Sequence, residues 1–185
     1  MFKPFLVPVR AFAWALAVAA ALPAAAHQQA HTHGQMTLDV AVDARSITLA
    51  LASPLDSFLG FERAPRTAAE RKQVADLVAR LKAADQLFQP DPAGGCQLAQ
   101  VELESEALGL GTPGHAHGHG GEAEHADLAM DIVFTCARAA DARFIDVKLF
   151  GAYPRLRGIE AQVAVPQGQF KRSLRSGAAR LGLAR

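Results

Sequence analysis

The chain has 185 residues, enough for one domain, and 50% of them are hydrophobic and 20% charged, as in an ordinary globular protein. Its 19 lysines and arginines nearly balance 18 acidic residues, which argues against electrostatic binding to nucleic acid. The residues left with evident metal or redox chemistry are seven histidines and two cysteines.

The first 26 residues have the layout of a cleaved secretory signal. Lys3 and Arg10 come first, the apolar run AFAWALAVAAAL follows, and small residues stand at Ala24–Ala26. A membrane-spanning helix would need roughly 20 apolar residues, and this run is shorter. We therefore expect export from the cytoplasm and a mature domain of residues 27–185 that is not inserted in the membrane. Cleavage would take the basic residues from 19 to 17 against 18 acidic ones, a net charge of −1.

A β-hairpin is predicted directly after the first histidines. Apolar residues alternate with polar or small ones from Met36 to Val42 and again from Ile47 to Leu51, on either side of a short turn. This alternation is typical of two strands with one buried face. Pro54 ends the hairpin, and we expect Ser53 or Asp56 to cap the apolar turn that follows.

An amphipathic helix is predicted next. Thr67 to Glu70 fits a capping box, in which each residue's side chain binds the other's backbone amide. The helix is expected to run to about Phe88, because Pro90–Gly95 is a clear breaker. Its apolar stripe, at helical spacing, consists of Val74, Leu77, Val78 and Leu81.

The second half of the chain predicts further strands, at 97–108, 127–137, 143–150, 159–165 and 169–174. Between the first two of these, residues 109–126 form a stretch rich in histidine and glycine. This stretch has too few apolar residues for a packed core, so we expect a flexible loop. The predicted fold is therefore α+β: an antiparallel sheet of about six to seven strands, one main amphipathic helix and this loop.

Cys96 and Cys136 most simply form one disulfide, because an exported protein meets an oxidising compartment. The bond would close a loop of about 40 residues that contains the second histidine patch. The alternative is that both thiols are metal ligands. Their wide spacing and the lack of a Cys-x-x-Cys pair make this the weaker reading.

All seven histidines lie in two patches, one before the hairpin and one in the loop: His27, His31 and His33, then His115, His117, His119 and His125. Imidazole is the commonest side-chain metal ligand, and short histidine-rich tracts are a metal-binding signal. Nitrogen donors suit zinc and copper better than magnesium or calcium. The pattern therefore predicts metal binding, with zinc first and copper as the alternative. A solubilising linker that happens to contain histidines is the other interpretation.

Spacing suggests which of these residues share an ion. His31 and His33, just before the first strand, are two residues apart, so in extended chain they lie on one side about 6.5–7 Å apart. His125 and Asp127 have the same arrangement before a later strand. If the two strand starts lie side by side, three imidazoles and one carboxylate suit a tetrahedral zinc site. The remaining loop histidines would close over the ion or bind a second one: His115, His117 and His119.

Three rival functions stay open at this point. Cleavage after Ala26 would give His27 a free α-amine beside its imidazole, which favours a copper chaperone. A zinc hydrolase needs three protein ligands and an open water position, but no HExxH-like helix is present, so we predict that the chain is not an enzyme. A basic tail could instead dock on an acidic partner protein through Lys171, Arg172, Arg175, Arg180 and Arg185.

The sequence resembles the periplasmic, histidine-rich zinc-binding proteins of the ZrgA-like family. The resemblance spans most of the mature chain and rests on the order and spacing of its motifs. These are His31-Thr32-His33-Gly34, Pro54, Leu59-Gly60-Phe61-Glu62, Pro65, the capped helix, Cys96, the histidine-rich loop, His125-Ala126-Asp127, Phe134-Thr135-Cys136, Phe150 and Tyr153-Pro154.

The resemblance implies a periplasmic protein that binds zinc and assists zinc acquisition and homeostasis beside an ABC-type importer and its binding protein. The implied ligands are the His31/His33 pair, the loop histidines and the His125/Asp127 step. The chain departs from the family pattern at Arg63, where histidine is expected, and its loop has only four histidines. Both departures lower the number of ions expected to bind.

Overall fold

A computed structural model describes residues 32–111 and 127–184. Within these residues the strands are β1 (Gln35–Val42), β2 (Ser46–Pro54), β3 (Phe88–Pro90), β4 (Cys96–Glu104), β5 (Asp127–Cys136), β6 (Phe144–Val147), β7 (Gly158–Val165), β8 (Gly168–Arg175) and β9 (Arg180–Gly182). The helices are α1 (Asp56–Leu59), α2 (Ala68–Lys82), α3 (Ala84–Leu87) and α4 (Leu149–Ala152). The predicted signal segment and six of the seven histidines lie outside the described residues. So does most of the predicted loop.

The larger sheet has six strands in the order β4-β5-β2-β1-β7-β8. The predicted hairpin is confirmed as β1 and β2, which pair antiparallel with Val42 opposite Ile47. β1 also pairs with β7, and this pair is parallel, so the prediction of an antiparallel sheet is wrong at this point. Alternation tells which face of a strand is buried but not the direction of its neighbour. The chain passes through five other strands before β7 returns beside β1.

A second sheet of three strands, in the order β3-β6-β9, was not expected from the sequence. The strand predicted over 143–150 is shorter than expected and ends at Val147, after which α4 begins at Leu149. Leu149 and Phe150 are nevertheless buried, because a helical turn can bury consecutive apolar residues as well as a strand can. The fold is therefore α+β as predicted, with a mixed sheet and an additional small one.

One core joins the two sheets and α2. Alternate residues of β1, β2, β5 and β7 are buried together with Leu77 and Leu81 of α2 and Ile145 and Leu181 of the small sheet. The Thr67 capping box is confirmed, with the Glu70 amide donating to the Thr67 hydroxyl at 3.1 Å. α2 ends at Lys82 rather than near Phe88, because the chain turns at Ala83 and continues into α3 and β3. No helix in residues 32–111 or 127–184 has the length and apolarity of a membrane span.

The disulfide between Cys96 and Cys136 is confirmed. The two cysteines lie opposite each other where β4 and β5 pair. The register of this pair shifts between Leu98 and Gln100, which explains why the apolar residues of β4 fall out of simple alternation in the sequence.

Candidate metal centre

Three side chains of the described residues meet at one end of the large sheet: His33, Asp56 and Glu62. Each offers one ligand atom, and these atoms lie within 4.8 Å of one another. The imidazole stands between the two carboxylates, with Nδ1 3.1 Å from an Asp56 oxygen and Nε2 3.7 Å from a Glu62 oxygen. The carboxylate side chains are 22% and 15% exposed and the imidazole is 61% exposed. The group is therefore reachable from solvent on the histidine side.

The hairpin register brings His33 and Asp56 together. β1 and β2 pair antiparallel with Val42 opposite Ile47. Counting nine residues outward along each strand from that pair reaches His33 on one side and Asp56 on the other. Pro54 ends β2 and Asp56 opens α1, while Glu62 follows α1 in an irregular segment. The segment that follows β2 thus supplies both carboxylates to the start of β1.

Two glycines allow the chain to pass close to the segment after Tyr153. Gly34 has a φ of +74°, and a Cβ there would lie 2.8 Å from the carbonyl oxygen of Arg155. The Gly34 carbonyl accepts from the amides of Arg157 and Gly158 at 2.8 and 3.1 Å. Gly60 has a φ of +80°, and a Cβ there would meet the Arg155 guanidinium at 2.9 Å. Only glycine fits such close approach in the left-handed region, so these positions fix the turns that present His33 and Glu62.

The donor set fits a zinc ion. Zinc binds imidazole nitrogen and carboxylate oxygen at roughly 2.0–2.2 Å in tetrahedral sites, which places ligand atoms about 3.3 Å apart. The ligand atoms lie within 4.8 Å of one another, so the three side chains would have to move closer by up to about 1.5 Å to reach that spacing. Asp56 Oδ1 is buried and has no hydrogen-bond partner among the described residues, and a buried carboxylate oxygen is costly unless a donor or a cation satisfies it.

The start of β5 lies at the same end of the sheet as this group. β5, β2 and β1 are adjacent in that order, and Asp127 pairs with Pro54 at the end of β2. The starts of β1 and β5 lie at the same end of the sheet but not side by side, because β2 lies between them and separates them by roughly 9–10 Å. Asp127 is half-buried and does not belong to the group of three described residues that could hold an ion.

The other predicted ligands lie outside the described residues, and their role as ligands stays a prediction: His27, His31, His115, His117, His119 and His125.

Asp56 and Glu62 were not predicted as ligands. We expected Ser53 or Asp56 to cap the following turn, which is wrong: the residue before α1 is Leu55 and no side chain caps the helix. The Ser53 hydroxyl donates instead to the backbone carbonyl of Gln35, at 3.4 Å. The hairpin register itself, extended past the strand ends, would have pointed to Asp56. The register does not point to Glu62, since its position depends on the path of the chain after α1, but Glu62 belongs to the Leu59-Gly60-Phe61-Glu62 motif of the family resemblance.

A cavity among the described residues lies elsewhere. It has a volume of about 610 Å³ and crosses the outer face of the large sheet, with Asp39, Ala50, Asp131 and Gln162 among its lining residues. No histidine or cysteine lines this cavity. This cavity is therefore a less suitable site for a metal that prefers nitrogen donors than His33, Asp56 and Glu62, which we call the His33 group.

Comparison with known proteins gives one family. A family model described as "ZrgA family zinc uptake protein" matches residues 30–183. A comparison with curated proteins found no significant match. The family match covers well over half of the chain and includes every element that builds the His33 group. The chain belongs to the ZrgA family of zinc uptake proteins.

Proposed function

We propose that this chain is a periplasmic zinc-binding protein that assists zinc acquisition and homeostasis, working beside an ABC-type zinc importer and its binding protein. The observation that supports it best is the convergence of His33, Asp56 and Glu62 at one end of the sheet. Membership of a zinc uptake family supports zinc as the ion, and this group supplies donors that suit zinc.

Further ligands are proposed to complete the coordination from residues around the same sheet end. Asp127 begins β5 beside the end of β2, and His31 is two residues from His33 in the sequence. The histidines of the loop precede Asp127 directly and are proposed to join or cover the ion: His115, His117, His119 and His125. In this arrangement His27 is an additional weak ligand at the mature N-terminus.

In this role the protein carries zinc and is not an enzyme. A carrier must release its ion, and the 61% exposure of His33 leaves the group open to a partner's competing ligands. A zinc-dependent hydrolytic activity that disappears on chelation would contradict this part of the proposal.

Zinc titration of the mature chain, residues 27–185, against a chromogenic chelator tests the binding site. The variants His33→Ala, Asp56→Asn and Glu62→Gln should each lower the zinc affinity by at least about tenfold, the scale seen when a partner of a metal site is removed. The two carboxamides keep the shape of the side chain and remove only its charge. Asp43→Asn is the matched control, because Asp43 follows β1 at the opposite end of the same hairpin.

Two outcomes would contradict the site. One is a wild-type chain that binds no zinc at micromolar concentration, and the other is three variants that bind as tightly as Asp43→Asn. Titration with Cu²⁺ in parallel tests the copper alternative, which requires His27 as the first residue. N-terminal sequencing of exported protein shows whether cleavage leaves it there.

The biological part of the proposal is tested in cells. Deletion of the gene should impair growth under zinc limitation, and wild-type protein, but not Asp56→Asn, should restore it. Fractionation should recover the protein from the periplasm, and crosslinking there should join it to a component of the zinc importer. Normal growth of the deletion strain under zinc limitation would argue against a role in acquisition.

A further inference from the structure

The segment between α1 and α2 is irregular, yet it supplies Glu62 to the His33 group. Arg63, the next residue, pairs its guanidinium with Glu70 in the first turn of α2. It donates to both carboxylate oxygens of Glu70, from Nη2 at 2.7 Å and from Nη1 at 3.1 Å. Such a two-point pair fixes orientation as well as distance.

The same carboxylate also holds the end of the segment. Glu70 accepts hydrogen bonds from the backbone amides of Arg66, at 2.6 Å, and Thr67, at 3.1 Å. The Arg63 hydrogen bonds and these two amides lower the pKa of Glu70 to about 2, so it is ionised at neutral pH. One side chain thus ties three points of the segment to α2.

The Arg63 guanidinium reaches the chain on either side of Glu62 as well. It lies over the ring of Phe61 at 4.9 Å, and its Nη1 donates to the carbonyl of Ala64 at 3.0 Å. Glu62 therefore lies between Phe61 and Ala64, and the Arg63 guanidinium contacts both of them. Without these contacts, binding an ion would also have to order the backbone of the segment. The entropy lost in that ordering would lower the zinc affinity.

We propose that Arg63 and Glu70 are positioning residues that hold Glu62 in place for zinc. This inference rests on the proposed function, because it needs zinc to bind at the His33 group. Arg63 stands where the family resemblance leads us to expect histidine. A guanidinium offers no lone pair to a metal, so Arg63 cannot bind zinc itself. We call the Arg63–Glu70 pair the clamp, because it holds the segment that carries Glu62.

The variant Arg63→Met tests the clamp, because methionine keeps an unbranched side chain and loses the ion pair. We expect zinc affinity about tenfold weaker than wild type, as for other residues that support a metal ligand. Arg180→Met is the matched control. Arg180 also makes two hydrogen bonds to one carboxylate, Asp146, at 2.7 and 2.9 Å, and lies over a phenylalanine ring at 3.8 Å. Since Arg180 is on β9 of the small sheet, its loss should leave zinc affinity within about twofold of wild type.

A double-mutant cycle separates positioning from general loss of stability. If Arg63 acts through Glu62, the change Arg63→Met should have no further effect on zinc affinity in a Glu62→Gln background. Arg63→Lys should recover part of the affinity, because it keeps the charge but not the two-point geometry. Glu70→Gln serves if Arg63→Met fails to fold. Glutamine at that position still caps α2 but weakens the pair, so a similar loss of affinity is expected.

The outcomes distinguish this inference from the proposed function. A wild-type chain that binds no zinc overturns both. A wild-type chain that binds zinc, with Arg63→Met and Glu70→Gln binding equally well, overturns the clamp alone. The clamp is also overturned if Arg180→Met loses as much affinity as Arg63→Met, or if the two changes at Arg63 and Glu62 are additive.

Discussion

Removing the disulfide should lower the stability of the protein without changing its zinc affinity. Cys96 and Cys136 join β4 to β5, and 40 residues separate them in the chain. Closing a loop of that length removes about 13 cal/mol/K of entropy from the unfolded chain, which corresponds to about 4 kcal/mol at 25 °C. The double variant Cys96→Ala/Cys136→Ala should lose about that much free energy of unfolding. Domains of this kind have roughly 5–15 kcal/mol in all, so the loss is a large share but leaves a folded protein.

The same variant should bind zinc normally. Cys136 is the last residue of β5 and Asp127 is the first, so the disulfide is nine residues from the metal end of the sheet. At roughly 3.3 Å per residue this is about 30 Å. A perturbation at that distance with no shared contacts should leave the zinc affinity of the folded protein within about twofold of wild type.

Urea denaturation of zinc-free protein measures the stability, because bound zinc would add its own stabilisation. Chelator competition without urea measures the affinity. A loss of less than about 1 kcal/mol would refute the chain-entropy reasoning. A folded variant with strongly weakened zinc binding would refute the independence of the two ends of the sheet. In that case the closed loop between the cysteines, which contains four of the histidines, would be needed to hold them near the ion.

Three further predictions concern the core, the helix cap and the turn before β1. Ile132, fully buried at 0% exposure, should cost roughly 2–5 kcal/mol of unfolding free energy when replaced by alanine. A loss below about 1 kcal/mol in urea denaturation would contradict its place in the core. Because the pKa of Glu70 is lowered from 4.5 to about 2, its ionised form stabilises the fold above pH 4.5, and this contribution is lost as the pH falls from 4.5 toward 2. The difference in thermal midpoint between wild type and Glu70→Gln should shrink over that range, and an unchanged difference near pH 2 would contradict the assignment. Gly34→Ala should destabilise by roughly 1–3 kcal/mol and weaken zinc binding, since its Cβ would lie 2.8 Å from a backbone oxygen. Gly109→Ala, also at positive φ but with nothing within 4 Å, should leave zinc binding unchanged.

Local patterns predicted the local structure well. Strict alternation gave the hairpin and β5, because one buried face leaves a period of two in the sequence. The Thr67 box gave the start of α2, because that signal consists of contacts three residues apart. The end of α2 was missed for the opposite reason. Residues 84–88 continue a helical pattern, so the sequence predicts a longer α2. Leu87 and Phe88 are buried in α3 and β3 instead, which pack against the rest of the core.

The His33 group, like the fold, was predictable where it depends on neighbouring residues and was missed where it depends on distant ones. The sequence by itself determined that imidazoles cluster before β1, that the chain has one disulfide and that the fold is α+β. Only the tertiary structure decided that β7 runs parallel to β1, that β2 separates the starts of β1 and β5, and that Asp56 and Glu62 meet His33. The physical reason is that alternation and capping depend on neighbours within a few residues, and these leave a periodic trace. Strand order and the path of a segment after a helix depend on which buried faces fit together, and that fit leaves no period in the sequence.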